Sequence, residues 1–265
     1  MDKARLQVFK IGGKVVEDEE QLLLFLQAFA QLEGNKILVH GGGKWVSEMS
    51  QRLGIEVKMI DGRRITDAPT LEVVKMMLAG VANKNVVSKL QAFGCNAIGL
   101  TGADGNTILA KRRPIKNGID YGFVGDVKQV NQVVISNLIN AGLVPVFAAM
   151  THNGKGILFN TNADTIASSI AVGLAGNFAV ELNYCFELDG VLRDIEDKAS
   201  IIHEVNPNNY LRLKEEGNIH TGMIPKIDNA FNALLEGVKA VRIMNSQHIQ
   251  RLTEGEVKVG TLITS

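Results

Sequence analysis

Short apolar runs alternate along the chain with segments of helical periodicity. The first part reads strand, helix, strand, helix over residues 7–11, 19–32, 36–39 and 44–53. Because parallel strands need a long crossover, usually a helix, this order predicts βαβ units. We therefore expect an α/β fold, an open, mainly parallel sheet sandwiched between helices in three αβα layers. The remaining predicted strands cover 97–100, 144–147, 178–182 and 240–243, and the remaining predicted helices cover 68–82, 131–141, 163–174, 207–216 and 226–236.

Two segments interrupt this alternation. Residues 105–113 with 122–127, and residues 150–160, each contain a glycine-rich turn between strand-like arms. This pattern predicts β-hairpins, which we expect to act as lids beside the main sheet. A run of small residues near residue 175 is the expected boundary between an N-terminal lobe, 1–175, and a C-terminal lobe, 176–265.

Composition excludes several kinds of partner. Lys and Arg together number 28, as do Asp and Glu, and this balance argues against nucleic acid or an anionic membrane surface. No apolar run approaches the roughly 20 residues of a membrane span, and no signal peptide is evident. The two cysteines, Cys95 and Cys185, and the five histidines lack metal-ligand spacing. We expect a cytoplasmic protein with reduced cysteines, a small-molecule partner and no metal held by the chain alone.

Glycine motifs follow the first and second predicted strands. The KIGG motif at residues 10–13 puts a lysine beside free backbone N–H groups, which suits a phosphate, although a lysine before an ordinary turn remains an alternative. The HGGG motif at 40–43 opens a predicted helix, and a glycine-rich helix N-terminus favours anion binding over a merely structural turn. Neither motif is a P-loop or a dinucleotide fingerprint, which disfavours a Rossmann oxidoreductase.

Charged side chains mark three further motifs. GRRIT at 62–66 pairs two arginines, and an arginine fork matches a carboxylate, although an exposed basic turn is the commoner outcome. NTNAD at 160–164 opens a predicted helix with an acidic first turn, which helix capping alone would explain. HTGMIPK at 220–226 places a lysine in the first turn of a helix, against the helix dipole, so we expect an anion nearby.

In this order and spacing, the motifs resemble the amino-acid kinase family, and within it the kinases of N-acylated glutamate. The resemblance runs from residue 6 to 263 and includes GVANK at 80–84 and VGTLI at 259–263. It implies an ATP- and Mg²⁺-dependent kinase of arginine biosynthesis that phosphorylates the γ-carboxylate of N-acetyl-L-glutamate, or of another N-acyl-glutamate such as N-succinyl-L-glutamate. The alternatives are another small-molecule kinase of this family, or a non-catalytic amino-acid sensor.

The resemblance also implies roles for individual residues. An N-acyl-glutamate site would lie in the N-terminal lobe, which would also dimerise, and an ATP site in the C-terminal lobe, with Mg²⁺ held through the ATP phosphates. The implied catalytic residues are Lys10, Lys226 and Asp164; the substrate-binding residues are Gly42, Gly43, Arg64 and Asn160; and the nucleotide-binding residues are Lys10, Gly12, Gly13, Glu187, Leu192 and Lys226. A γ-carboxylate, with a pKa near ~4.3, is already an anionic nucleophile at neutral pH and needs no general base. Lysines, Mg²⁺ and backbone N–H groups are the groups such a reaction requires.

This chain departs from the family pattern at two places. Residues 184–192 read YCFELDGVL, where a Thr/Ser-Asp pair is usual, so nucleotide contacts there are open. Lys44, Trp45 and Arg63 are unusual neighbours of the acyl-glutamate motifs. If Lys44 or Arg63 recognises a second carboxylate, N-succinyl-glutamate should be preferred; alternatively, both cations face solvent.

The resemblance also bears on assembly. Arginine-inhibited relatives carry an extra N-terminal helix that builds hexamers, and about five residues precede the first predicted strand here. We therefore expect a homodimer insensitive to arginine. An apolar stripe on the predicted helix 68–82, made of Leu71, Val74, Leu78 and Val81, is either a two-fold contact or ordinary core.

Overall fold

The computed structural model describes residues 3–60, 62–194, 196–197, 200–219, 223–256 and 258–265. His220, Thr221 and Gly222 of the HTGMIPK motif lie outside these residues. The strands are β1 (Arg5–Ile11), β2 (Asn35–His40), β3 (Met59–Ile60), β4 (Arg63–Arg64), β5 (Ala97–Leu100), β6 (Ile108–Arg112), β7 (Gly125–Val130), β8 (Val144–Ala148), β9 (Met150–His152), β10 (Leu158–Asn160), β11 (Ala179–Phe186), β12 (Glu204–Val205), β13 (Ala240–Asn245) and β14 (Thr261–Ile263). The α-helices are α1 (Gly13–Glu17), α2 (Glu19–Gln31), α3 (Gly43–Arg52), α4 (Ala68–Val74), α5 (Asn83–Ala92), α6 (Gln132–Asn140), α7 (Ala163–Leu174), α8 (Pro207–Glu215), α9 (Ile224–Leu235) and α10 (Ile249–Thr253).

The main sheet has eight strands in the order β12-β14-β13-β11-β1-β2-β8-β5. Its neighbours pair in parallel, except for the antiparallel pair β13 and β14. The predicted α/β sheet is therefore confirmed. In open parallel sheets, ligands bind at the carboxyl ends of the strands, and the lysine of the KIGG motif sits at that edge of the central strand β1.

Alternation along β1 decides which helix layer each side chain faces. Leu6 and Val8 belong to the buried cluster that contains the apolar side chains of α7, whereas Phe9 belongs to the cluster on the α2 side. The Phe9 ring lies edge-on to Phe29 of α2, with centroids 5.5 Å apart. Lys10 is on the same face as Leu6 and Val8, so the sheet directs its ammonium group towards α7.

Both predicted hairpins form and share a second, four-stranded sheet in the order β10-β9-β6-β7. The segment between β6 and β7 is bonded through its backbone to the other motifs. The Thr66 N–H donates to Tyr121 O, the Phe123 N–H donates to Thr66 O, and the Asn160 N–H donates to Phe123 O. These bonds join the arginine motif, the hairpin sheet and the start of α7 into one wall.

The predicted helix 68–82 differs from the structure. After α4 the chain forms a π-helical segment, Lys75–Ala82, and continues directly into α5. Of the apolar stripe, Leu71, Val74 and Leu78 are at most 5% exposed and belong to the core, which is one of the two alternatives for it, whereas Val81 is 44% exposed. The three buried side chains pack inside the chain because the helix lies beneath the HGGG loop, where a Cβ on Gly42 would come within 3.0 Å of the Leu78 Cδ2.

Strand β11 continues four residues beyond the predicted end at 182. It is hydrogen-bonded to β1 on one side and to β13 on the other, so its pairing continues through the polar Asn183. The extension brings the atypical segment 184–186 to the same edge of the sheet as the KIGG motif. None of the described helices is long and apolar enough to cross a membrane.

Candidate active site

The two glycine loops lie side by side because they follow adjacent parallel strands. Helix α1 begins at Gly13 and α3 begins at Gly43, and a Cβ on Gly13 would lie only 3.7 Å from the Gly43 nitrogen. Gly42 has φ of 142°, a conformation that side chains disfavour. Gly12 caps α1 without a side-chain hydrogen bond. The loops therefore present backbone N–H groups to a shared space.

The HGGG loop is held from behind by a buried polar network. His40 is fully buried; its Nδ1 lies 2.9 Å from Gly41 O, and its Nε2 lies 3.1 Å from the Asn83 Nδ2. Asn83 also donates to Val146 O and accepts from the Lys84 Nζ. Burial lowers the pKa of His40 to about 4, assisted by the Lys84 charge. The imidazole is thus neutral, with Nδ1–H donating to the loop and Nε2 accepting from Asn83, and this contact joins the HGGG and GVANK motifs.

A cavity of about 240 Å³ opens beside the loops. It is lined by Lys10, Gly13, Gly41, Gly42, Gly43, Val46, Met59, Gly62, Arg63, Arg64, Val74, Leu78, Arg113, Val124, Ala149, Asn160, Thr161, Asn162 and Ala163. One side of the wall is apolar, and the other carries four cations. The size and mixed lining suit a small anionic ligand with an apolar part.

Arg64 is the most deeply set of the arginines lining the cavity. Its Nη2 donates to Gly43 O at 2.7 Å and to the Ser47 Oγ at 2.8 Å. Its Nη1 is buried and has no hydrogen-bond partner among the described residues. Burial lowers the pKa of Arg64, but a guanidinium remains charged at neutral pH. A fixed, charged and unsatisfied donor in a cavity is suited to bind a carboxylate oxygen.

Asn160 and Asp164 are positioned by the NTNAD motif. The Asn160 Nδ2 donates to the Thr66 Oγ1 at 3.0 Å, which fixes the amide at the cavity wall. The Asn162 side chain accepts from the Thr165 N–H and so caps α7. Capping thus explains one residue of the motif but leaves Asp164 free to face the sheet, where its Oδ1 lies 2.8 Å from the Lys10 Nζ.

Lys226 reaches the same place from α9. Its Nζ lies 3.7 Å from the centroid of the Phe186 ring, and the Lys10 Nζ lies 4.9 Å from that centroid. Burial lowers the pKa of Lys226, the Asp164 charge opposes this shift, and the Lys10 charge adds to it. Two ammonium groups and one carboxylate therefore meet at the carboxyl edge of the sheet, leaving a net positive centre beside the cavity.

Only some of the predicted nucleotide-binding residues lie near the cavity or the lysines. Lys10 and Gly13 line the cavity, and Glu187 is exposed in an ion pair with Lys14 at 3.3 Å. Leu192 is 6% exposed, bridges to Ile201 and lines neither the cavity nor the lysine cluster. The roles of Glu187 and Leu192 in nucleotide binding stay predictions.

The sequence interpretation missed Arg113. This arginine lines the cavity and pairs with Asp126 at 2.7 Å. Its place just after β6 was visible in the sequence, but the direction of its side chain was not. Of the two unusual cations, Arg63 lines the cavity, whereas Lys44 is exposed and lies 3.7 Å from Glu48.

No group of three or more His, Cys, Asp or Glu side chains in the described ranges is arranged to hold a metal ion. The carboxylate nearest the two lysines, Asp164, is already paired with Lys10. A divalent cation here would need ligands from a bound substrate.

Comparison with known proteins adds independent information. The model of the amino acid kinase family matches residues 5–245. The acetylglutamate kinase of Cytophaga hutchinsonii is 54% identical over 261 residues, covering 98% of this chain and 99% of that protein. The acetylglutamate kinase of Bacteroides fragilis is 50% identical over 257 residues, covering 97% of each. The crystal structure of smu.665 from Streptococcus mutans superposes with a TM-score of 0.74 at 27% identity, covering 98% of both chains.

The His40 network generates a prediction about stability. The unfolded state takes up a proton with the ordinary pKa of His40, 6.5, whereas the folded state does so only near 4. Stability from this group is therefore full above pH 6.5 and is lost as the pH falls towards 4. Urea unfolding at pH 7.5 and 5.0 should show the unchanged protein losing about 2 kcal/mol more than His40→Gln. All other titrating groups are common to both proteins, so equal losses would contradict a neutral buried His40.

Proposed function

The chain belongs to the amino acid kinase family, and we propose that it is an ATP-dependent kinase that phosphorylates the γ-carboxylate of N-acetyl-L-glutamate, or of another N-acyl-glutamate, in arginine biosynthesis. One observation carries this proposal. Lys10 lines the cavity in which Arg64 keeps an unsatisfied donor, pairs there with Asp164 and shares the Phe186 ring with Lys226. The names of the near full-length relatives support the same activity.

The acceptor is held by the cavity. We assign Arg64 and Asn160 to the α-carboxylate end of the acyl-glutamate, with the apolar wall at Val46 and Leu78 beside the acyl group. An oxygen of the γ-carboxylate then attacks the γ-phosphorus of ATP. The new O–P bond forms as the bond to the β,γ-bridging oxygen breaks, and ADP leaves. The nucleophile is already anionic, so no residue has to remove a proton.

The main obstacle to this reaction is repulsion between two anions. Lys10 and Lys226 supply positive charge to the transferring group, and Asp164 orients Lys10 through their 2.8 Å contact. The N–H groups of Gly13 and Gly43 add hydrogen bonds without side-chain bulk. Mg²⁺ held through the ATP phosphates would supply further neutralisation there. This chain's contribution is chiefly alignment and charge stabilisation.

We also propose that the two lobes bind different substrates and that the protein is cytoplasmic. Strands β1, β2, β8 and β5 come from residues 1–175, which bind the acyl-glutamate; the other half of the main sheet comes from residues 176–265, which bind ATP. The buried, unpaired Cys95 and Cys185 are in keeping with a reducing compartment.

Kinetics of two variants separate the proposed roles. Lys10→Ala should lower kcat by at least ~100-fold, because its charge acts mainly in the transition state. Arg64→Ala should instead raise the KM for N-acetyl-glutamate about 10-fold or more, because it removes a charged carboxylate contact. ATP-dependent hydroxamate formation measures both, and Lys44→Ala, on an exposed cation, is the control. Near-normal turnover of Lys10→Ala would contradict the catalytic role of Lys10, and an unchanged KM of Arg64→Ala would contradict carboxylate binding by Arg64.

A second candidate substrate follows from the cations of the cavity. Arg63 and Arg113 also line it. Because Arg113 already pairs with Asp126, Arg63 is the charge partner available to the additional carboxylate of N-succinyl-glutamate. If this carboxylate is recognised, the succinyl substrate should show the higher kcat/KM, and Arg63→Gln should remove the preference while Lys44→Gln leaves it intact. If N-acetyl-glutamate is used equally well or better, Arg63 does not bind the second carboxylate and only faces solvent. Absence of product from both substrates would reject the proposed function.

We propose that the protein is a homodimer. The π-helical segment exposes Met76 and Val81, which are 49% and 44% accessible, on the outside of the helix whose inner side forms core. Light scattering should give about twice the chain mass of 28.7 kDa, and Met76→Lys should lower that mass because it buries a charge in the contact. The control is Ile115→Lys, at a similarly exposed apolar position on the hairpin loop. A monomeric unchanged protein, or a hexamer, would contradict the dimer.

A further inference from the structure

Phe186 is the last residue of β11 and lies between groups that the reaction uses. Alternation along the strand puts its ring on the same face as Tyr184, and the two rings stack with centroids 6.0 Å apart and planes 15° from parallel. Lys226 lies over the ring with its Nζ 3.7 Å from the centroid, and the Lys10 Nζ is 4.9 Å away. One aromatic ring thus lies within 5 Å of both candidate catalytic cations.

We propose that Phe186 is a positioning residue whose ring holds the ammonium groups of Lys10 and Lys226, by cation–π attraction, where they meet the transferring phosphoryl group. The inference rests on the proposed kinase function and deepens it. Phe186 touches the lysines rather than the substrate, so its effect on the reaction passes through them.

The ring stabilises two neighbouring ammonium groups without neutralising them, which a carboxylate cannot do. Two ammonium groups in one partly buried place repel each other and lose hydration. Asp164 pairs with Lys10. In the described part of the chain Lys226 has no carboxylate oxygen within ion-pair distance, although the more distant charges of Asp164 and Glu187 favour its charged form. A second carboxylate would cancel the remaining positive charge and occupy N–H donors. An aromatic face attracts the ammonium group but leaves the ammonium's charge and N–H donors available to a phosphate.

The surroundings keep the ring in place. Phe186 packs on the edge of the main core cluster, and Tyr184 backs it from within the sheet. A small cavity of about 40 Å³ is lined by Asp164, Tyr184, Phe186, Lys226 and Asn229, so the residues that carry the ring, the ammonium and the carboxylate border one partly open space. A flexible side chain at this position would not present a fixed face to either lysine.

The alternative is that Phe186 only fills volume. Fluorination of the ring distinguishes cation–π attraction from volume filling, because it withdraws negative charge from the ring face while nearly preserving the ring's shape. The full-length enzyme would be produced with 4-fluoro-, 3,5-difluoro- and 3,4,5-trifluoro-phenylalanine at position 186. We expect kcat, at saturating ATP and N-acetyl-glutamate, to fall stepwise to about 3- to 10-fold below normal with three fluorines. A flat or rising series overturns the proposal.

The chain supplies a matched control. The Lys36 Nζ lies 5.3 Å from the ring centroid of Phe29, a cation–π pair on the α2 side of the sheet, away from the cavity. The same three analogues at position 29 should leave kcat unchanged. If the two positions lower kcat equally, the effect is general to the fold, and the proposal fails.

A readout independent of turnover separates this inference from the proposed function. In protein with ¹³Cε-labelled lysine, the Lys226 resonance, assigned by its loss in Lys226→Arg, reports the pKa of Lys226. Because the ring favours the charged form, the pKa should fall stepwise with fluorination at Phe186. An unchanged pKa overturns the ring contact even if the enzyme is active. Absence of turnover with any acyl-glutamate rejects the kinase function, while the titration still tests the contact.

Discussion

The parallel pairing of β1 with β2 and β11 is the constraint from which the rest of the site follows. The register aligns Lys10 with Val39 and Tyr184, so the KIGG loop, the HGGG loop and Phe186 leave the sheet at one edge. A slip of β1 by one residue would reverse its faces and move Lys10 into the aromatic cluster of Phe9 and α2. Burying a lone ammonium there would cost several kcal/mol, so the same packing that stabilises the sheet also selects the position of the lysine.

That edge gathers more positive charge than a fold would adopt for stability alone. Lys10 and Lys226 lie close together, and Arg64 keeps a buried donor unsatisfied. Burial, and to a lesser extent the Lys10 charge, lowers the pKa of Lys226, so keeping that ammonium charged has an energetic cost. Ion pairing to Asp164 and the ring of Phe186 reduce the cost without removing the charge. The site is therefore organised around ligands that bring several negative charges, as ATP and an acyl-glutamate do.

The sequence was most informative where a motif follows a strand. The end of a strand fixes both the location and the direction of the next residues, so the two glycine motifs could be expected at one edge of the sheet from their place after strands. The residues around Asp164 alone indicated only helix capping, and its 2.8 Å contact with Lys10 was implied by the family resemblance rather than by spacing. Periodicity left two alternatives open for Leu78 and its neighbours, because an apolar stripe looks the same whether a sheet or a second subunit covers it. Arg63 and Lys44 were equivalent in sequence, yet one lines the cavity and the other faces solvent. Phe186 lies in the segment that the sequence marked as atypical, but its contacts with Lys10 and Lys226 could not be predicted. An apolar side chain suggests only core packing, and Lys226 is distant in the chain.

The buried network behind the HGGG loop has a consequence for how this sequence can change. His40, Asn83 and Gly99 belong to three separate elements; a Cβ on Gly99 would lie 2.0 Å from the Asn83 Oδ1 and 2.7 Å from the Lys84 Nζ. A side chain at position 99 would force Asn83 and Lys84 to shift, and replacing His40 or Asn83 by a residue without a matching hydrogen-bonding group would leave its partner unsatisfied. The effect of a substitution at one of these positions therefore depends on the residues at the other two, although the three belong to separate strands and helices.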